Sequence, residues 1–298
     1  MIRKMQLCIV VLCLSATSGM AQLWDWDTPS KNDKPEPVAA QPRGGDAPWN
    51  AFLGVTLDST AGAEDFDTVE FGWNWDIATS SARSAGDFEF ALEWYGMFFS
   101  SSAGIGLPDQ VSRIVFDVEH RLGFRNGMVL ETHLKPGMYF DLDEFDSDAI
   151  MVPFSLQLWS GLGSSLGGTI GLDFRSDFER ELLPILGLRW NVNDATTLDL
   201  MIPKSLLRIR AGRDWQFWAG YAWENMDYAL SEDKSDQEQI AIEDFRLSLG
   251  ASYRMRNGLG LTLEYGRLTN RSVEFRASSN EIDISDEGSI RVGVGGPF

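Results

Sequence analysis

The feature that most constrains this chain is a pattern it repeats along most of its length. Apolar and polar residues alternate, position by position, in run after run. Val69, Phe71, Trp73 and Trp75 alternate with Glu70, Gly72, Asn74 and Asp76. Phe88, Phe90, Leu92 and Trp94 alternate with Glu89, Ala91 and Glu93. Ile114, Phe116 and Val118 alternate with Arg113, Val115, Asp117 and Glu119, and Met128, Leu130, Thr132 and Leu134 with Glu131, His133 and Lys135. Successive side chains of a strand point to opposite faces, so a period of two gives a strand with one apolar and one polar face. Helical spacing is absent. Phe52, Val55 and Leu57 begin the series imperfectly, and further runs lie at 150–159, 169–175, 184–191, 196–202, 206–212, 215–228, 240–254, 259–268 and 289–296. That makes about fourteen strands, each near the ten residues a tilted strand needs to cross a bilayer. If 196–210 does not cross as two strands, the count is twelve.

The connections alternate as well. Asn126-Gly127 and Asn257-Gly258 are hairpin turns, because Asn-Gly supplies the positive φ that tight turns need. The segments 160–165, 191–196 and 211–214 are also short. Between them lie longer polar or acidic stretches at 99–109, 138–148, 175–181, 230–239 and 270–288. Short turns at one end and long loops at the other are the topology of an antiparallel up-and-down transmembrane β-barrel. Two places break the rule: 77–86 is long where a turn is due, and Pro203-Lys204 is short where a loop is due.

Both ends of the chain agree with export to an outer membrane. Arg3 and Lys4 precede the apolar run Leu7–Leu14, and small residues follow up to Ala21. This reads as a signal peptide over 1–21. Cys8 and Cys13 both lie within it, so the exported chain has no thiol chemistry. Residues 22–49 are Pro-rich and charged without periodicity, and read as a disordered periplasmic linker ahead of a barrel over 50–298. At the other end Ile290, Val292 and Val294 alternate with Arg291 and Gly293, and the sequence stops on Phe298. An aromatic carboxyl terminus on a two-faced strand looks like the signal read by the barrel-assembly machinery, although Gly296 and Pro297 depart from its usual form.

Charge narrows the function. The formal charge is −19, and losing Arg3 and Lys4 with the leader takes it to about −21. Phosphate backbones would be repelled, so nucleic acid is excluded as a partner. No second apolar stretch is long enough for a membrane helix. Assigning the polar positions to the lumen gives pore-lining candidates Glu89, Glu93, Asp117, Glu119 and Glu131 in the first half of the chain. The second half supplies Arg189, Arg208, Arg210, Arg246, Arg254 and Arg291. Acids thus dominate one arc of the wall and arginines the other. Such a wall can orient polar solutes in a transverse field, or pair internally and fill a small lumen. An acidic chain should favour cations at an open mouth. On the outer face, Trp73, Trp75, Trp94, Trp159, Trp190, Trp215 and Trp223 are candidates for the interfacial girdle.

Signals for catalysis or cofactors are poor. A barrel enzyme acting on envelope lipid needs a His and a Ser side by side. The chain has two histidines. The alternation puts His120 on the lipid face and His133 on the lumen side beside Glu131 and Lys135. No Gly-x-Ser-x-Gly motif occurs. No metal or other cofactor is expected, since two distant histidines and no cysteine make a poor ligand set. The acidic segment 141–148 lacks the glycine of a calcium loop and reads as a solvated loop.

The stretch 197–203 (Thr-Leu-Asp-Leu-Met-Ile-Pro), then 249–253 (Leu-Gly-Ala-Ser-Tyr), 258–267 and 270–275, resembles a bacterial family of porin-like outer-membrane β-barrels without assigned function. The resemblance covers most of 50–298. It implies the fold and a location in the outer membrane of a Gram-negative-type bacterium, and carries over no catalytic residue. The function expected is passive passage of small polar solutes, or a structural barrel displaying its loops. Outer-membrane lipid and the assembly machinery are the expected partners. The alternatives are a lipid-modifying barrel enzyme and a secreted acidic β-sandwich that binds a ligand.

Overall fold

The computed structural model describes residues 49–57, 60–61, 64–82, 86–100, 107–141, 149–175, 181–230, 239–275 and 280–296. Among them are nineteen strand segments, which we number β1–β19 in chain order, and no helix. Fourteen strands form the wall of a closed antiparallel barrel. They are β1 (Trp49–Leu57), β4 (Thr68–Ala82), β5 (Gly86–Phe99) and β6 (Gln110–Gly123). The fifth is β7 (Val129–Leu134) with β8 (Gly137–Phe140), and the sixth is β9 (Ile150–Met151) with β10 (Phe154–Gly161). Then come β11 (Leu166–Phe174), β12 (Leu182–Asn193), β13 (Thr196–Ile202) and β14 (Lys204–Ala211). The wall is completed by β15 (Trp215–Ala229), β16 (Gln239–Arg254), β17 (Gly260–Phe275) and β19 (Glu287–Gly296). The short β2 (Thr60–Ala61), β3 (Glu64–Asp65) and β18 (Asn280–Ile284) extend the rim at the long-loop end. Closure is made by β1, which pairs with β4 on one side and with β19 on the other.

Both places that broke the expected loop rule have a structural explanation. The stretch 77–86 is mostly strand: β4 runs on to Ala82, with Ile77 as an extra residue opposite the Ala91–Phe90 step. At Pro203, β13 and β14 both belong to the wall and turn over a single residue, so the count is fourteen and not twelve. The stretch 270–288 is likewise not one loop, since β17 continues to Phe275 and β18 folds back on it. Proline interrupts two strands, at Pro136 and Pro153, because it has no N–H for the ladder. Their carbonyls still accept from Phe116 and Lys135, so the wall holds together.

The outside of the barrel is apolar. Thirty-two large hydrophobic side chains are exposed among the described residues, including Ile170, Leu172, Leu186, Leu200, Leu249, Leu263 and Val292. Soluble monomers do not carry a continuous apolar surface of that extent. Such a surface suits a hydrocarbon layer, in which a spanning sheet must close so that its edges are paired, as β1 and β19 do here.

The barrel is pinched at the long-loop end. Ala229 of β15 pairs in parallel with Phe140 of β8, although these strands stand nearly opposite each other in ring order. Tyr139 and Tyr228 meet there with ring centroids 6.4 Å apart. Arg113 donates to the sulfur of Met226 at 2.9 Å. The interior between β1–β8 and β15–β19 carries much of the buried packing. Near the loops its filling is apolar: Phe66, Phe99, Val111, Ile240, Val273 and Phe275 are buried against one another. Beneath that layer lie buried ion pairs. Arg246 and Arg291 both bond Glu70, and Arg271 bonds Glu287. Lower still, Trp218 covers Gly250 and donates to Glu264 at 3.2 Å. A Cβ on Gly250 would stand 2.0 Å from the Trp218 ring, so this position has room only for glycine.

Candidate functional site

A cavity of about 520 Å3 lies against β7–β15 and reaches past the pinch to Phe52 of β1, Asn74 of β4, Glu93 of β5 and Arg291 of β19. Its lining includes Arg121, Trp159 and Arg208 toward the short-turn end, and Arg175, Pro203 and Lys204 toward the loop end. The cavity therefore runs along the height of the wall.

Two charged walls face this space, and strand register builds both. On β12–β14, Arg189 is the direct cross-strand partner of Asp199. Arg189 donates from Nε to Asp199 Oδ1 at 2.6 Å and from Nη2 to Oδ2 at 3.4 Å. Arg208 is opposite Thr197, two residues along, and its Nη2 donates to the same Asp199 Oδ2 at 2.7 Å. The Arg189 guanidinium also lies over the Trp159 ring, 5.0 Å from its centroid. Arg175 bonds Asp173 at 2.8 Å and reaches across to the Asn225 carbonyl at 2.6 Å, narrowing the loop end.

On β5–β7, Glu89 and Glu119 are directly opposite one another, an arrangement that repels. Arg121 lies among them. It pairs with Glu119, with Glu131 at 3.3 Å and with Glu89 at 3.8 Å. Lys135 Nζ is 3.1 Å from Asp117 and 3.4 Å from Glu93. His133 Nε2 is 2.9 Å from Glu131 Oε1, and its Nδ1 is 3.7 and 3.8 Å from Asp117 and Glu119. Ligand atoms of Glu119, Glu131 and His133 come within 4.8 Å of one another, a spacing that could hold a metal ion. Arg121 already rests on two of these carboxylates and supplies the positive charge there.

The eleven pore-lining candidates do not share one site. Glu93, Glu131, Arg189, Arg208 and Arg291 border the cavity. Asp117 and Glu119 are buried and do not border it, and Arg246 is buried against Glu70. Glu89 sits with Arg121. Arg210 donates to the Asp194 carbonyl at the short-turn end, where Arg254 also lies, at the end of β16. Phe298, the leader 1–21 and the linker up to residue 48 lie outside the described residues.

One assignment is corrected. Trp159 is not in the girdle: it is buried and faces the cavity, because 155, 157 and 159 are the inward positions of β10. His120 does face outward, stacked on Phe88 with centroids 4.3 Å apart. Sequence reasoning missed Arg175 and Lys204, which it had placed in connections. It also missed the Arg271–Glu287 pair. In β17, Asn270 has a φ of 50° and adds a residue opposite Asp244, so inward parity shifts from even to odd between Leu268 and Arg271.

No family model and no curated protein matches the chain. Among solved structures, the NanC porin is 9% identical, with a TM-score of 0.42 over 84% of this chain and 100% of that one. An outer membrane channel from Pseudomonas putida F1 is 13% identical, with a TM-score of 0.41 over 83% and 94%. Omp33 of Acinetobacter baumannii is 6% identical, with a TM-score of 0.38 over 85% and 98%. The fold assigned to this chain rests on its own strand register.

Proposed function

We propose that this protein is an outer-membrane β-barrel of a Gram-negative-type bacterium that passes small polar solutes passively, through the cavity that the packed side chains leave in its lumen. One observation carries the reading: the cavity extends from short-turn-end residues to loop-end residues, beside an apolar cluster that packs part of the loop end. Nothing in the reading requires catalysis or a cofactor. Residues 1–21 serve as the export leader, 22–49 as a periplasmic linker, and Phe298 as the contact for the assembly machinery. Lipid solvates the apolar exterior.

Conductance in a planar bilayer, recorded on refolded, detergent-purified protein, tests the channel. Small discrete steps are expected, well below those of an unobstructed barrel of fourteen strands. Absence of any steps would leave a structural barrel. Deleting Phe298 is expected to lower folded yield in cells and to leave refolding in detergent intact.

A further inference from the structure

The charge that a permeating solute meets is set by the cavity lining, and the lining reverses the sign of the chain. The chain carries −19. Around the cavity, eight Lys and Arg side chains stand against five Asp and Glu. The reversal has a structural cause on each wall. On β5–β7, Asp117 and Glu119 are buried, while Lys135 and Arg121, which pair with them, border the cavity. On β12–β14, Arg189 and Arg208 share one carboxylate, Asp199, and Lys204 lines the same side. Among the described residues neither guanidinium meets a second acid. Each has five N–H donors in a planar fork, so their bonds to Asp199 use only part of that capacity. Trp159 holds the Arg189 fork flat against the wall.

We infer that the Arg189–Arg208 pair is a docking site for small solutes bearing a carboxylate, and that the pathway passes anions in preference to cations. The passage rests on the channel reading above; the docking does not. A carboxylate matches the guanidinium fork with two parallel bonds. Acids elsewhere on the chain act through water and are screened beyond about 10 Å at 0.1 M salt. Charges lining a narrow space with low-dielectric walls act at contact and decide the sign. The cation preference expected from net charge alone is thereby reversed.

Two measurements on the full chain test this. The first is the reversal potential in a KCl gradient across a planar bilayer. The second is calorimetric titration of the detergent-solubilised protein with succinate, which needs no conductance. Wild type should favour chloride over potassium and give binding heat with succinate. Arg189→Gln/Arg208→Gln should lose the chloride preference and weaken succinate binding by about tenfold or more, since each 1.4 kcal/mol of lost charge-assisted bonding is one decade. Asp199→Asn, which frees both guanidiniums without removing a cation, should strengthen both effects. Arg267→Gln, on the outer face and paired with Asp286, should change neither. A variant's fold is checked by its heat-modifiable migration. Cation preference without succinate binding would overturn the inference and leave the channel standing. Succinate binding without conductance would overturn the channel and the anion passage, and leave the docking site. Neither conductance nor binding would overturn both.

Discussion

At the scale of single residues, Glu70 has the most to lose. It is buried and accepts bonds from two buried arginines that reach it from different strands, Arg246 on β16 and Arg291 on β19. Removing one partner of a buried ion pair leaves uncompensated charge, which costs about 3–5 kcal/mol. Glu70→Gln is therefore expected to lower the urea midpoint of unfolding in lipid vesicles by that equivalent. The same change at Glu89, which is part-exposed and 3.8 Å from its arginine, should have little effect. The contrast shows how far the residues could be read in advance. Both carboxylates fall on inward positions of their strands, and local alternation is enough to say so. It does not say which of them is buried between two guanidiniums.

At the scale of elements, each strand presents one face to lipid and one to the interior. Ile170, at the centre of β11, is 61% exposed on the lipid side. Arginine in the middle of a lipid-facing strand costs about 2–4 kcal/mol. Ile170→Arg should reduce folding into vesicles accordingly, with Ile170→Ala as the size control. The pinch makes a second element-scale prediction. Phe140 and Ala229 are paired across the interior, so cysteines placed at both positions should form a disulfide on mild oxidation, read as a gel shift reversed by reductant. An uncrosslinked product would mean that β8 and β15 stand apart in the membrane.

At the scale of the whole molecule, fourteen is an even number, so β1 begins and β19 ends at the same end of the barrel, with the short turns. The long connections gather at the other end. If the short-turn end faces the periplasm, a cysteine at Ser100 should react with a membrane-impermeant maleimide on intact cells. A cysteine at Gly163, in the β10–β11 turn, should react only after the outer membrane is opened. The background is clean if the leader carrying Cys8 and Cys13 is removed. The barrel should also fractionate with outer membranes and migrate differently on gels when unheated. Recovery in the soluble periplasm would contradict membrane insertion.

The alternation of residue types by itself determined that this chain is a barrel, close to its strand number, and gave each strand an apolar and a polar face. Those properties are local, because a strand's two faces follow from its own period of two. Tertiary structure decided the rest. Arg246 and Glu70 meet across 176 residues of chain, a pairing that depends on the register of every strand between them around the ring. The Asn270 bulge inverts parity within one strand, so Arg271 turns inward where a fixed period would point it out. Contacts across the interior, the pinch at Phe140 and Ala229 among them, shape the cavity and so select which charges border it. Net charge is a sum over all residues, whereas the field in the cavity depends on the few that closure brings to its surface. The two therefore differ in sign.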